Sequence, residues 1–84
     1  MPTKTILEML GDEVKERRTQ RNLNQEELAH EAGVHTNVIG RLERGETNSQ
    51  VLTLFDVAMG LKAPLAELIA GVEAKLTAGV EERR

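Results

Sequence analysis

The stretch from Asn24 to Gly45 narrows what this 84-residue chain can fold into more than any other. Asn24 is a strong N-cap, and Glu27 three residues on completes a capping-box pattern, so a helix is expected from about residue 25 to 32. Leu28, Ala29 and Ala32 give it a small apolar face. Gly33 ends it, because glycine takes the left-handed conformation that such a stop requires. Val34 plugs the turn. A second helix is expected over about 36–43, with Val38, Ile39 and Leu42 on its buried side and Gly45 closing it. Its other side carries Thr36, Asn37, Gly40, Arg41 and Arg44, which share one arc at 3.6 residues per turn. That arc is polar and short-stemmed near its start, the composition needed to read base edges in a DNA major groove.

The rest of the chain also reads as helix. Thr5 to Glu8 is a capping box opening a first helix, whose stripe is Ile6, Leu7, Leu10 and Val14. Asn22 can take the left-handed conformation at its end. Gly45 to Ser49 is a loop. A fourth helix over about 50–60 is expected to turn Val51, Leu54, Phe55, Ala58 and Leu61 inward. Pro64 suits the first turn of a fifth helix. That helix carries Leu65, Leu68, Ile69, Val72 and Leu76 and is expected to stop near Gly79, with Glu81 to Arg84 frayed. The expected fold is all-α, five helices in a single domain over residues 1–84.

Composition removes several classes of function. Phe55 is the only aromatic, so the core must be aliphatic. No cysteine means no disulfide and no thiol chemistry, which fits a cytoplasmic setting. No signal peptide is expected from the sequence, and no apolar run is long enough to cross a bilayer, so no membrane role is expected. His30 and His35 are five residues apart with Gly33 between them, whereas a helical zinc pair needs both on one face. No metal or other cofactor is therefore assigned. There is no Gly-rich phosphate loop and no histidine paired with a nucleophile, so no catalytic residue is assigned and an enzyme is not expected. The net charge of −3 speaks mildly against DNA binding. Lys15, Arg17, Arg18 and Arg21 nevertheless cluster at the end of the first helix, and Arg41 and Arg44 lie on the third. Acidic residues fall largely elsewhere, although Glu26, Glu27 and Glu31 sit within the two-helix stretch. Weak non-specific DNA binding with a steep salt dependence is expected.

In order along the chain, Leu23 to Ala29, Ala32-Gly33-Val34 and Ile39 to Glu46 resemble the helix-turn-helix of the phage Cro and repressor (Xre) family. Leu54, Ala58, Leu61 and Leu65 to Leu68 fit the helices that follow. The resemblance covers about residues 10–70 and implies a lambda-repressor-like fold with the motif formed by helices two and three. It implies base contacts from Thr36, Asn37 and Arg41. Arginine can grip guanine through O6 and N7, and asparagine can grip adenine through N6 and N7. It implies a phosphate contact from Gln25, which would also support a recognition-helix residue, with Arg44 and Asn48 as further phosphate candidates. Arg18 and Glu43 look like the family's structural ion pair.

Three positions depart from the family pattern or add to it. Arg17 stands where the family has leucine or isoleucine. Either its stem covers the core while its head reaches water, or it reaches DNA or a partner. His35 replaces the usual serine or threonine N-cap, so the third helix starts less firmly or at Thr36. Gly40 either lets the helix approach the groove closely or is drift at an exposed site, at a cost of about 1 kcal/mol relative to alanine.

Apolar stripes at the two ends ask for a partner. Ile6, Leu7 and Met9 lie before the family match, and Val72, Leu76 and Val80 extend past it. Ala70, Gly71, Ala74 and Ala78 permit close approach of another helix. Part of this surface is expected to pack within the chain and part within a homodimer, with Leu68, Val72 and Leu76 in the interface. A twofold dimer would present two recognition helices about 34 Å apart and so read an inverted repeat. The expected function is a sequence-specific transcriptional regulator on double-stranded DNA, similar to restriction–modification controller proteins and small repressors. The alternatives are an antitoxin whose domain also binds a toxin, and a protein-interaction module that has lost DNA binding.

Overall fold

Five helices follow one another with short turns in a computed structural model that describes residues 4–82. They are α1 (Ile6–Gln20), α2 (Gln25–Ala32), α3 (Thr36–Glu43), α4 (Val51–Gly60) and α5 (Leu65–Glu82). Local chemistry fixes most of their ends. Thr5 Oγ1 accepts from Glu8 N at 3.1 Å while Glu8 Oε1 accepts from Thr5 N at 2.8 Å, the capping box expected for α1. Asn24 and Glu27 do the same for α2, at 2.7 and 2.9 Å. Asn22 closes α1 at φ 59° and Gly33 closes α2 at φ 72°. In each stop the next residue's N–H returns to the helix: Leu23 to the Arg18 carbonyl, Val34 to the Ala29 carbonyl. His35 makes no side-chain capping bond, and α3 starts at Thr36.

α3 packs on α1 and α2, α4 packs on α2, and α5 closes the bundle against α1 and α4. Val14, Leu28, Ile39, Leu42, Val57, Leu61 and Leu68 form the fully buried centre. At the α1–α3 crossing a Cβ on Gly11 would stand 2.5 Å from the carbonyl oxygens of Leu42 and Glu43, so only glycine lets the two backbones meet.

Several inward assignments are corrected. Val51 and Phe55 point out of α4, at 63% and 50% exposure, while Val57 takes the buried place. The cause is that α4 is apolar almost all round (Val51, Leu52, Leu54, Phe55, Val57, Ala58, Met59), so periodicity alone does not say which arc meets the core. Ile6 is exposed and Met9 is buried. Leu68 and Val72 lie in the chain's own core, with Leu76 packed against it, so the side chains of Leu68 and Val72 are not free for a partner. α5 runs on past Gly79, the expected stop. The side chain of Val80, and Arg83 and Arg84, lie outside the described residues.

Glu13 is an acidic residue that the hydrophobic pattern hides. It is buried at the α1–α5 contact and bonded to Lys75, with Arg17 Nε at 3.6 Å from its Oε1. Lys75 also reaches Glu16 at 3.2 Å. Gly71 leaves the space that the Glu13 carboxylate fills.

Candidate nucleic-acid interface

α3 divides cleanly into two arcs. Ile39 and Leu42 are buried and Val38 is half-buried, which anchors the helix on α1 and α2. Thr36, Asn37, Arg41 and Arg44 are all exposed on the opposite side, so the structure brings the three expected base readers together on one surface. Thr36 and Asn37 sit in the first turn and Arg41 one turn later. Polar side chains on an exposed helical arc of that width are what a major groove admits.

The helix is held rigidly behind that surface. Arg18 Nε donates to Glu43 Oε2 at 2.6 Å, and Nη2 donates to Oε1 at 3.0 Å. Both side chains are nearly buried, and Arg18 Nη1 adds a 2.9 Å bond to the Leu23 carbonyl. Such a two-pronged, charge-assisted pair fixes angle as well as distance. Its main effect on Arg18 is the hydrogen bond to Glu43, which holds the guanidinium protonated even more firmly than usual. Gln25 Nε2 donates to the same Glu43 oxygen at 3.0 Å. The start of α2, the end of α1 and the end of α3 therefore meet at one carboxylate.

Gly40 falls on the outward arc by angle yet is buried. Gln25 and Arg44 cover it: a Cβ there would lie 3.6 Å from Gln25 Oε1 and 3.2 Å from Arg44 Nη1. The view of Gly40 as an exposed surface site is thus corrected. Arg44 is itself paired, Nε to Glu46 Oε2 at 3.0 Å. Asn48 is exposed in the loop between α3 and α4.

Three arginines of the basic cluster at the end of α1 turn back onto the protein, while Lys15 stays exposed. Arg17 Nη1 bonds Glu67 on α5 at 3.1 Å, Arg18 is held by Glu43, and Arg21 Nη1 caps the Leu61 carbonyl at 2.9 Å. Arg17 thus spans α1 and α5, and its head meets carboxylates rather than open water. These partners lie far along the sequence, which is why a local count of charges misses them. Among the described residues no group of three or more His, Cys, Asp or Glu is placed to hold a metal, and no helix is long and apolar enough to cross a membrane.

A two-helix motif with a buried brace and a polar outer arc defines a helix-turn-helix DNA-binding protein. Residues 14–68 match the helix-turn-helix family HTH_3, and the chain belongs to that family. It is 38% identical over 64 residues to the control protein C.SmaI of Serratia marcescens, covering 76% of each chain. The restriction-modification controller protein C.AhdI of Aeromonas hydrophila has a similar structure, with a TM-score of 0.71 and 30% identity over 75% of this chain and 94% of that one. The clp gene regulator ClgR of Corynebacterium glutamicum shares the fold at a TM-score of 0.85 and 22% identity, over 98% of this chain and 87% of that one. The chain is a DNA-binding transcriptional regulator of the Xre type, all-α and lambda-repressor-like, and not an enzyme.

Proposed function

We propose that the chain is a sequence-specific transcriptional regulator that binds an inverted-repeat operator in the cytoplasm as a homodimer, with α3 in the major groove. The observation that carries this reading is the joint exposure of Thr36, Asn37 and Arg41 on a helix braced by Arg18, Glu43 and Gln25. Arg41 reads a guanine, Asn37 an adenine, and Thr36 a neighbouring base edge. Gln25, Arg44 and Asn48 contact phosphates, which sets register without carrying sequence information.

The dimer reading is supported by an apolar groove between α4 and α5, lined by Phe55, Met59, Pro64, Leu65 and Ile69. Met59 is 73% exposed and Ile69 is 40% exposed, and Val51 and Leu52 extend the same apolar surface along α4. Contiguous exposed apolar side chains of this kind mark an interface. The interface proposed from the structure therefore centres on Phe55, Met59 and Ile69 in place of Leu68 and Val72. The likeness to two controller proteins supports control of transcription by operator occupancy.

Arg41→Ala tests the base-reading role. It should cost about 1–3 kcal/mol of operator binding and relax preference at one base pair per half-site. Unchanged affinity and unchanged preference would remove Arg41 from the readout.

A further inference from the structure

Glu46 places a carboxylate beside the cations of the outward surface. Its Oε2 lies 3.0 Å from Arg44 Nε, and both side chains are more than half exposed. What lies beneath sets the pose of this arginine. With no Cβ on Gly40, the Arg44 guanidinium folds back along α3, with Nη1 only 3.2 Å from where a Cβ would stand, beside Gln25. The hydrogen bond from Arg44, followed by the charges of Arg44 and Arg41, holds the Glu46 carboxyl below its ordinary range. Glu46 therefore stands against the arginine at the C-cap of α3.

The geometry points to Glu46 as a residue that sets specificity: its carboxylate competes with DNA phosphates for Arg44. This rests on the reading of α3 as the DNA-contacting helix. Engagement of a phosphate by Arg44 requires exchange of one anion for another, so phosphate contact alone yields little net attraction. Binding then waits on base contacts from Thr36, Asn37 and Arg41. An exposed ion pair is weak enough to be exchanged, so the effect is a partial brake rather than a block. Arg17 and Arg18 of α1, which would otherwise add to general attraction, are already paired with Glu67 and Glu43, which raises the weight of the balance at Arg44 and Arg41.

The test measures binding of the wild type, Glu46→Gln, Arg44→Ala and the double variant to a random-sequence duplex over a series of salt concentrations, and to a duplex carrying the site that the protein selects. Glu46→Gln should tighten random-duplex binding about two- to fivefold at low salt. It should steepen the log–log salt slope by about 0.9 and lower the ratio of specific to random affinity. In the Arg44→Ala background the same substitution should gain only a minor part of this. Circular dichroism should be unchanged, since both side chains are exposed. Random-duplex affinity that does not move overturns the assignment. So does an equal gain with and without Arg44, which would make Glu46 a diffuse negative charge only. A folded wild type that binds neither duplex at any salt concentration overturns the DNA-binding reading itself, and the role of Glu46 with it.

Discussion

Arg18 and Glu43 meet twice, at 2.6 and 3.0 Å, and so lock the last turn of α1 to the last turn of α3. The pair is nearly dry, and each partner has a further bond that depends on it: Arg18 to the Leu23 carbonyl, and Gln25 to Glu43. Removing one partner strands a buried charge. Arg18→Ala should cost about 3 kcal/mol in urea unfolding, and replacing both residues by Met and Leu should cost clearly less than the sum of the single changes. Additive losses would mean that the two side chains do not act as a pair.

Glu13 gives the fold a defined response to acid. Burial would raise its carboxyl, but the hydrogen bond and charge of Lys75, with Glu16 and Arg17, outweigh burial and hold it below the ordinary range. A carboxylate depressed in the folded state contributes stability above its unfolded value and loses it as pH falls through the folded one. Wild type should therefore exceed Glu13→Gln by about 2 kcal/mol near neutrality, and the gap should close as pH falls below the ordinary carboxylate range. A gap independent of pH would show that the carboxylate charge is not what stabilises this contact.

Gly11 and Gly40 should respond in opposite directions to alanine. At Gly11 the new Cβ meets two backbone carbonyls that cannot move separately, so a loss of about 2 kcal/mol or more is expected. At Gly40 it meets the end of the flexible Arg44 side chain, and helix propensity should raise stability by up to about 1 kcal/mol. Thermal unfolding of both variants decides this. A destabilised Gly40→Ala would show that Arg44 cannot yield.

Phe55 and Met59 should control assembly. Phe55→Asp with Met59→Asp should sediment as a monomer with unchanged helicity, because neither side chain is in the single-chain core. Losing the linkage of two half-sites should weaken binding to a full inverted repeat by about a hundredfold. A double variant that still sediments as a dimer would move the interface elsewhere.

Local signals carried most of the fold. Thr5 with Glu8, Asn24 with Glu27, and the left-handed Asn22 and Gly33 set helix ends through contacts only a few residues long, and these are legible along the chain. The outward arc of α3 was legible for the same reason, since its period is set against the buried Ile39 and Leu42. The facing of α4 was not, because Val51, Leu52, Phe55 and Met59 leave it without a polar side to orient it. The partners of Arg17 and Arg21 were not legible either, whereas the Arg18–Glu43 pair follows from the family resemblance. Arg21 finds the Leu61 carbonyl 40 residues away, and Lys75 finds Glu13 62 residues away. The covering of Gly40 is not legible in the sequence, because the Gln25 side chain over it comes from another helix.

In the proposed function, the outward arc of α3 reads a DNA sequence as one half of a symmetric pair. Selection of sites by the purified protein alone, from a random duplex library at moderate salt, tests it most directly. Enrichment of an inverted repeat whose half-sites are spaced by about one helical turn is expected. A folded, helical protein that enriches no sequence would contradict it.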